Sequence, residues 1–426
     1  MKLRPNIKKN PPAKFSVPKK RCKVCGHEFF QEPLLRYENM PRAAQFLPDK
    51  ESLKNDKGVD LEVYQCSGCG LVQLANDPVP YYKEVIRAAA FSEEMKDFRI
   101  KQFDSFVQEY SLKTKKVIEI GCGRGEYLSL MQQFGVDAYG LEYSEVSAEE
   151  CVNDGLKVLK GFIESSNYKL DYAPFDAFYI LNFLEHLPDP NSALRGIYNN
   201  LTDDAVGLVE VPNFDMILRN NLFSEFIADH LFYFTKDTLS ATLKVNGFEV
   251  IECNEVWHDY IISAIVYPVR NFKIEVQQLK DLSSKHYFAE ISNGVKKRKK
   301  LDLSHFYQYQ AQLKNEIEEY IRRFKDKKVA IWGAGHQALA VISLTNLADK
   351  IKYVVDSAPF KHGKYTPATH IRIVSPDALT QDPVDAVIVM AASYSDEVAK
   401  IIRQRFDRNI NVAILRDFGL EIVQGY

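Results

Sequence analysis

Short apolar runs that end in a glycine turn or an acidic residue recur along the middle of this 426-residue chain. Residues 116–120 are apolar and β-branched, and residues 126–134 beyond the next turn have helical spacing. Further runs with strand character lie at 138–142, 158–162, 175–182, 205–212, 248–253 and 261–266. Strands that alternate with helices predict a doubly wound α/β sheet, and we expect the last two runs to form an antiparallel pair.

The same order of strand, glycine turn and helix returns near the C-terminus. Residues 328–332 form a predicted strand, and residues 339–347 form the helix beyond the turn. A second strand covers 351–356, and the runs 386–390 and 411–415 supply two more. We therefore predict a second Rossmann-like α/β domain over residues 326–426, placed to bind substrate.

Two segments lack this alternation. Residues 1–21 carry eight Lys or Arg, four prolines and no acidic residue, which predicts a flexible basic tail. The tail is either simply solvated or in contact with an anionic partner. Residues 270–325 are charged and have helical spacing, and they are interpreted as a helical connector.

Composition excludes several classes of protein. A net charge of −2 argues against general nucleic-acid binding, and no apolar run is long enough to span a bilayer. No secretory signal is apparent at the N-terminus. We expect a cytoplasmic protein with a small-molecule substrate, no nucleic-acid or membrane partner, and either a monomeric or a homodimeric state.

Four of the seven cysteines form two CxxC pairs. Cys22 and Cys25 make the first pair, and Cys66 and Cys69 make the second. Two such pairs place four thiolates around one tetrahedral Zn²⁺, and a site closed by four protein ligands is structural. Residues 22–78 are therefore predicted to form a small zinc domain, with four free thiols as the alternative.

The turn after residue 120 reads Gly-x-Gly-x-Gly, and an acid, Glu142, ends the next predicted strand. Such a turn allows close backbone approach to a ligand, and such an acid accepts ribose hydroxyls, so a nucleoside cofactor is expected. Together with Glu119, this stretch resembles motif I and motif II of class I S-adenosylmethionine (SAM) methyltransferases. The resemblance implies a SAM domain over residues 79–269. The expected cofactor-binding residues are Glu119, Gly121, Gly123, Gly125, Glu142, Phe162 and Asn182.

Three residues are candidates for the chemistry. His186 lies in the segment Leu-Glu-His-Leu-Pro-Asp-Pro, which resembles motif IV of the same enzymes. Asp229 and His230 adjoin one another in an aromatic segment after the fifth strand, where a carboxylate can orient an imidazole that acts as a base. The alternative is a buried histidine satisfied by Asp229. Three tyrosines are expected near the substrate: Tyr81, Tyr82 and Tyr233.

The C-terminal unit carries its own candidate site. Gly333, Gly335, His336 and Asp356 match a dinucleotide turn with its ribose acid, which taken alone suggests NAD. Since one nucleoside site is already assigned, we expect these residues to bind the substrate, with its phosphates at the helix N-terminus. An NAD-dependent oxidoreductase is kept as the alternative.

The order of a Cys₄ domain, a SAM domain and a short Rossmann-like domain resembles the sugar C-methyltransferases of deoxysugar biosynthesis. C-terminal matches include Gly333, Asp356 and residues 362–371 and 374–376. The resemblance implies a nucleotide-linked sugar as substrate and a base from a Tyr-His-Glu-His segment. Here that segment reads Ile-Ala-Asp-His at 227–230, so it retains only His230. C- and O-methylation both stay open, and the missing Tyr and first His shift the expectation toward O- or N-methylation. A non-catalytic zinc-containing binding protein is a further alternative.

Overall fold

The computed structural model describes residues 21–84, 93–269, 299–325 and 328–423. The predictions for the tail up to residue 20 and for the connector over 270–298 therefore lie outside the described residues. The strands are β1 (Leu35–Met40), β2 (Val59–Gln65), β3 (Val72–Leu74), β4 (Lys116–Ile120), β5 (Asp137–Glu142), β6 (Lys157–Lys160), β7 (Phe175–Leu181), β8 (Leu201–Pro212), β9 (Phe232–Tyr233), β10 (Phe248–Val256), β11 (Ile261–Pro268), β12 (Val329–Trp332), β13 (Val354–Val355), β14 (Ile373–Val374), β15 (Ala386–Val389), β16 (Asn411–Arg416) and β17 (Gly419–Val423). The helices are α1 (Glu93–Glu109), α2 (Glu126–Gln132), α3 (Glu145–Asn153), α4 (Pro190–Tyr198), α5 (Phe214–Arg219), α6 (Lys236–Lys244), α7 (Ser304–Ile321), α8 (His336–Leu344), α9 (Ala378–Gln381) and α10 (Ser395–Arg405).

The central sheet has seven strands in the order β10-β11-β8-β7-β4-β5-β6. Strands β8, β7, β4, β5 and β6 are parallel, and β10 and β11 are antiparallel to their neighbours. Val117, Ile118 and Ile120 of β4 are all buried, because helices cover both faces of the parallel part. This sheet confirms the predicted doubly wound α/β fold, and its carboxyl edge brings the ends of β4, β5 and β7 together.

The C-terminal sheet has six strands in the order β14-β13-β12-β15-β16-β17. The first five are parallel and β17 is antiparallel to β16. The second strand of this unit is only two residues long, and α8 begins directly after the glycine turn rather than at residue 339. The predicted second α/β unit is therefore present, with a shorter strand before its acid.

A four-stranded sheet in the order β1-β2-β3-β9 lies in the N-terminal region. Its last strand comes from beyond β8 in the chain, since Val72 of β3 pairs with Tyr233 of β9. No local pattern indicates this pairing, because the two strands are short and far apart in the chain. The segment that carries His230 is consequently held by the N-terminal region.

The described part of the connector contains α7, which buries Phe306, Leu313, Ile317 and Tyr320. The Tyr307 hydroxyl on this helix accepts a hydrogen bond from the backbone N–H of Arg36 at 2.8 Å. The helix thus packs onto the first sheet through one face. Among the described residues, no helix combines the length and the apolar character needed to cross a membrane.

Candidate active site

The four cysteine side chains of the two CxxC pairs meet in the N-terminal region. All four are buried free thiols, and their sulfur atoms lie within 4.8 Å of one another. The Sγ atoms of Cys25 and Cys66 are 3.3 Å apart, and those of Cys22 and Cys69 are 3.7 Å apart. Tetrahedral Zn–S bonds of about 2.3 Å place sulfurs about 3.8 Å apart, so this donor set fits a zinc ion.

Groups around the cluster are arranged for thiolates. The Gln73 side-chain amide donates to Cys22 Sγ at 3.0 Å, and the Gly68 N–H donates to Cys66 Sγ at 3.3 Å. Such donors satisfy negative sulfur rather than neutral thiol, because a thiolate accepts more strongly. On the other side, the Asn191 amide at the start of α4 donates to the Val24 carbonyl at 2.8 Å. The first CxxC pair is therefore joined to the central sheet domain.

The first glycine turn connects β4 to α2 and has a backbone that favours glycine. Gly121, Gly123 and Gly125 all have positive φ, of 75°, 57° and 80°. A Cβ on Gly125 would lie 2.5 Å from a Leu156 methyl carbon. The turn thus needs glycine for both its conformation and its packing.

Glu142 at the end of β5 is bound to this turn. Its Oε2 accepts from the Gly123 N–H at 2.8 Å, and its Oε1 accepts from the Ser144 N–H at 2.8 Å. The side chain is buried, and this burial raises the pKa of Glu142 despite both hydrogen bonds. Each carboxylate oxygen retains a second lone pair, so the acid can still accept from a ligand hydroxyl.

A small cleft opens beside the turn. Phe162 lines it together with Gly121, Tyr143 and Phe183. The Tyr82 ring packs edge-on against Phe162 with centroids 5.8 Å apart. The aromatic wall suits a flat heterocycle, and the structure brings the expected residues Phe162 and Gly121 together there.

Two further expected residues lie at neighbouring strand ends. Glu119 is buried and accepts a hydrogen bond from the Tyr179 hydroxyl at 3.2 Å. Asn182 follows β7 with a positive φ of 49°, and its buried Oδ1 has no hydrogen-bond partner among the described residues. An orphaned polar atom at the carboxyl edge indicates that a ligand completes this part of the site.

Sequence reasoning missed Arg99 of α1. The side chain is fully buried and forms an ion pair with Glu210 of β8, with 2.5 Å between Nη1 and the carboxylate. Its guanidinium carbon lies 5.0 Å from the ring centroid of Tyr127, in the first turn of α2. An arginine within a helical pattern gave no signal, because its position depends on how α1 folds over the sheet.

Two histidines face each other near the end of β7. The rings of His186 and His230 meet edge-on with centroids 4.8 Å apart. The Nδ1 of His186 lies 2.8 Å from the backbone carbonyl of Asp229, and since a carbonyl only accepts, Nδ1 carries the proton. Burial lowers the pKa of both imidazoles, and the nearby His186 adds to this effect at His230.

The predicted contact between Asp229 and His230 is wrong. The Asp229 carboxylate instead accepts from the Tyr81 hydroxyl at 2.5 Å and from the Ala44 N–H at 3.0 Å. Asp229 lies in a turn that the His230 N–H closes by donating to the Ile227 carbonyl at 3.2 Å, and its carboxylate is directed to Tyr81 and Ala44 rather than to the imidazole. Asp229 therefore positions Tyr81 with its side chain and His186 with its carbonyl.

The three expected tyrosines occupy different surroundings. The Tyr81 ring lies 4.4 Å from that of Phe46, and its hydroxyl reaches Asp229. Tyr82 stands at the aromatic cleft. Tyr233, by contrast, is buried, and its hydroxyl accepts from the Ile227 N–H at 3.1 Å. The structure corrects the substrate role expected for Tyr233, because its ring and its hydroxyl are both used within the core.

The second glycine turn, between β12 and α8, has a different environment. Asp356 Oδ2 accepts from the Ala334 N–H at 2.9 Å, as the acid of the first unit does. Here, however, the Lys361 ammonium also binds this carboxylate at 3.0 Å and donates to the Ala334 carbonyl at 3.2 Å. The charge of Asp356, the acid that would accept ribose hydroxyls, is thus already balanced by Lys361.

His336 at the start of α8 contacts the central domain instead. Its Nε2 lies 3.3 Å from a carboxylate oxygen of Glu225, and the same oxygen accepts from the Tyr260 hydroxyl at 2.8 Å. Burial opposes protonation, but the Glu225 carboxylate outweighs it and raises the pKa of His336. Of the expected C-terminal residues, His336 alone is shown in contact with the central domain; Gly333 and Gly335 shape the turn.

Comparisons with known proteins agree with this geometry. Residues 92–253 match a family described as "Methyltransferase domain", and residues 274–414 match "C-methyltransferase C-terminal domain". The C-methyltransferase NovU of Streptomyces niveus is 23% identical over 88% of this chain and 90% of its own length. A ubiquinone biosynthesis O-methyltransferase of Methylococcus capsulatus is 34% identical over 21% of this chain and 40% of its own. A solved SAM-dependent methyltransferase from Clostridium acetobutylicum is 14% identical, covering 44% of this chain and 96% of its own, with a TM-score of 0.35.

A doubly wound sheet with this glycine turn and strand-end acid, matched over both large domains, defines a SAM-dependent methyltransferase. SAM is therefore its cofactor. More narrowly, the two family models and the match to NovU support a SAM-dependent C-methyltransferase family. The expected resemblance to C-methyltransferases is confirmed, and neither an NAD-dependent oxidoreductase nor a non-catalytic binding protein agrees with these matches.

Proposed function

We propose that the enzyme transfers the methyl group of SAM to a carbon atom of a nucleotide-linked sugar. The observation that carries the proposal is the pair of His186 and His230 near the end of β7, with His336 of the C-terminal domain close enough to contribute to the lowered pKa of His230. NovU, whose name describes a C-methyltransferase, matches the chain across all of these regions. A substrate with a reactive sugar and an anionic arm suits a site that two domains share.

We assign the cofactor to the first glycine turn. Bound SAM supplies an electrophilic methyl group. Glu142 would accept the ribose hydroxyls, and Phe162 would pack on the adenine in the aromatic cleft. Gly121, Gly123, Gly125, Glu119 and Asn182 would hold the remaining polar groups, and the spare donors of Arg99 suit the carboxylate of the methionine part.

We assign proton abstraction to His230. Its lowered pKa keeps the imidazole neutral near pH 7, so that it can accept a proton. The ring makes no hydrogen bond within the described residues, whereas Nδ1 of His186 is engaged by a carbonyl. His230 would take the proton from the carbon next to a ketone. The electron pair left behind forms the enolate, whose carbon takes the methyl group as the carbon–sulfur bond breaks.

The substrate would lie between the histidines and the C-terminal domain. Tyr81 is held by the carboxylate of Asp229, whose backbone carbonyl binds His186. Tyr82 lines the approach to the cleft. His336 and the turn at Gly333 and Gly335 lie at the start of α8, where a helix N-terminus favours phosphate oxygens. Asp356 would act indirectly, by shaping this turn.

Oxygen is the second candidate for the atom methylated. Ile227 and Ala228 stand where the resembling enzymes carry Tyr and His, and both side chains are buried and apolar. The atom that receives the methyl group therefore has fewer polar side chains around it here than in the resembling enzymes. His230 can remove a hydroxyl proton by the same geometry.

Mass spectrometry of reactions with SAM and a panel of nucleotide-linked sugars tests the proposal. A substrate should gain one methyl group, and carbon-13 NMR of the product should show a new carbon–carbon bond rather than a methyl ether. A keto sugar and the corresponding hydroxy sugar form a matched pair, because only the ketone permits an enolate. Methylation of the hydroxy sugar alone would identify O-methylation, and no methylated nucleotide sugar would refute the substrate class.

Zinc in the Cys22, Cys25, Cys66 and Cys69 cluster is also proposed. The support is the sulfur spacing and the donors that face it. Protein purified without added metal should contain about one zinc per chain. Cys66→Ser should lower the melting temperature sharply, because metal binding is linked to folding, whereas Cys253→Ser should not. Metal-free protein with normal stability would contradict this proposal.

The absence of disulfides among the seven cysteines supports a cytoplasmic location, where thiols stay reduced. We propose no nucleic-acid or membrane partner and a monomer or homodimer. Light scattering over a range of protein concentrations determines the oligomeric state. Fractionation of cells that produce the protein tests the location.

A further inference from the structure

One acidic side chain at the centre of the site has no role in the mechanism above. Glu185 follows β7 and is 1% exposed. Neither of its carboxylate oxygens has a hydrogen-bond partner among the described residues. A buried carboxylate without partners is costly, and native proteins keep such groups where a ligand or ion completes their surroundings.

The next residue, His186, has a ring nitrogen with a free lone pair close to the Glu185 carboxylate. Its Nδ1 proton is engaged by the Asp229 carbonyl, so the other ring nitrogen, Nε2, is left unprotonated in the neutral ring. This Nε2 lies 3.7 Å from Oε1 of Glu185, too far for a hydrogen bond. A ligating histidine usually donates its second ring N–H to a carbonyl or carboxylate in this way.

A third donor completes the group. Ligand atoms of Glu185, His186 and His230 all lie within 4.8 Å of one another. Metal–ligand bonds of about 2.1 Å bring such atoms to roughly 3–4 Å, so a small contraction is enough. The backbone already fixes the parts, since the Leu231 N–H donates to the Glu185 carbonyl at 2.9 Å and joins the two segments.

We propose that Glu185 and His186 form the fixed half of a divalent-cation site beside the reacting carbon. His230 completes the site in the absence of substrate. Two imidazoles and one carboxylate with open positions suit Mn²⁺, Fe²⁺ or Zn²⁺. The ketone oxygen of the sugar and the neighbouring hydroxyl would fill the open positions. In this respect the inference rests on the proposed function.

The cation and the base then act together in the substrate complex. Substrate oxygens replace His230 in the metal shell, which frees the imidazole to accept the proton. The cation polarises the ketone and stabilises the negative charge that develops on its oxygen. The Cys₄ cluster is separate from this site, because its soft thiolates hold a structural ion.

Manganese binding to zinc-loaded, full-length protein tests the site, because Mn²⁺ prefers oxygen and nitrogen ligands to thiolates. Titration followed by the electron paramagnetic resonance of free Mn²⁺ should show one saturable site per chain. Glu185→Gln and His186→Gln should weaken this binding by at least about 10-fold, the lower limit for losing even an outer-shell partner. Glu225→Gln is the matched control, since Glu225 is a comparably buried acid of the same region that is no ligand, and it should leave Mn²⁺ binding unchanged.

Melting curves with and without Mn²⁺ show that each variant is folded. Mn²⁺ should raise the melting temperature of the wild-type protein and of Glu225→Gln, but not of Glu185→Gln. An absence of saturable Mn²⁺ binding, or binding that survives Glu185→Gln, overturns the proposed site. Methyl transfer measured after chelation separates the two proposals: activity that persists without any bound cation refutes the metal site and leaves the proposed function intact.

Discussion

The two glycine turns of this enzyme look alike in sequence but are built for different purposes. In the first unit, Glu142 accepts hydrogen bonds from the backbone N–H groups of Gly123 and Ser144, and its chain neighbour Tyr143 lines an aromatic cleft. In the second, Asp356 receives the corresponding N–H groups from Ala334 and Ala358. Within the part of the chain that the structure describes, only the second acid also binds a cation of the protein, Lys361.

That lysine decides which turn can hold a nucleoside. The side chains of Asp356 and Lys361 are 12% and 11% exposed, so the ion pair is largely shielded from water. A ribose would have to displace an ammonium group from a buried carboxylate, at the cost of leaving both charges unpaired. The Rossmann-like pattern of the second unit therefore supports the fold rather than a cofactor.

The largest effect should come from removing the base at the first unit. His230→Ala should lower turnover by roughly 10²–10⁴-fold, the usual contribution of general-base catalysis, while SAM affinity changes little. His258→Ala is the control, because His258 is exposed and paired with Glu94. Steady-state rates should be set beside a melting curve. A folded His230→Ala protein with normal turnover would show that the chemistry does not depend on this imidazole.

Separating the ion pair of the second unit should mainly affect stability. Asp356→Ala leaves Lys361 buried without its counter-ion and should lower the free energy of unfolding by roughly 3–5 kcal/mol. The double variant Asp356→Asn with Lys361→Met removes both charges and should recover much of this loss. Urea denaturation measures both. Equal stabilities of Asp356→Ala and wild type would mean that the ion pair is not what distinguishes the second unit.

The matching change in the first unit should mainly affect ligand affinity. Glu142→Ala removes the proposed ribose acceptor and should weaken SAM binding by roughly 1.5–3 kcal/mol, the range for hydrogen bonds to charged groups. Glu142→Gln keeps the shape of the side chain and should show how much of this loss is due to the charge. Calorimetry gives the affinities. SAM binding that is indifferent to both changes would remove Glu142 from the cofactor site.

The smallest effect concerns the contact between the two units. Because the pKa of His336 is raised above its ordinary 6.5, its pairing with Glu225 stabilises the fold below that pH and loses this contribution as the pH rises through the raised pKa. Burial alone would raise the pKa of Glu225, but the nearby His336 outweighs burial and lowers this pKa from 4.5. The stability that the pairing contributes is therefore also lost in acid, when Glu225 becomes protonated. Relative to His336→Gln, the wild type should be more stable at pH 6 than at pH 9, by roughly 0.5–1 kcal/mol. Thermal melts at the two pH values check this, and a difference that does not vary with pH would argue against the ion pair.

Much of the fold was predictable because local patterns dictate it. The buried strands β4, β5 and β7 are runs of apolar residues, and the glycine turn after β4 needs residues that tolerate positive φ. The antiparallel pair β10 and β11 was likewise visible as two apolar runs. The meeting of the two CxxC pairs was also predictable, because a metal site of four cysteines requires all four sulfur atoms to lie together.

The parts that escaped prediction depend on contacts between distant residues. Tyr81 and Asp229 are 148 positions apart, and nothing local to either indicates that they bind each other. The Asp-His pair at 229 and 230 suggested a contact, but the turn over 227–230 directs the Asp229 carboxylate to Tyr81 instead. Lys361 lies only five residues after Asp356, but its pairing depends on the bend of the intervening turn. Sequence patterns therefore located the two candidate sites and left their difference to the tertiary structure.

Titration of the wild-type protein with SAM and with NADH, followed by calorimetry, tests the central claim most directly. SAM should bind with one site per chain, and NADH should produce no saturable heat at concentrations where SAM saturates. The same titrations of Asp356→Asn should leave SAM binding unchanged. Saturable NADH binding that is lost in Asp356→Asn would contradict the account, because it would show that the second glycine turn is a working nucleoside site.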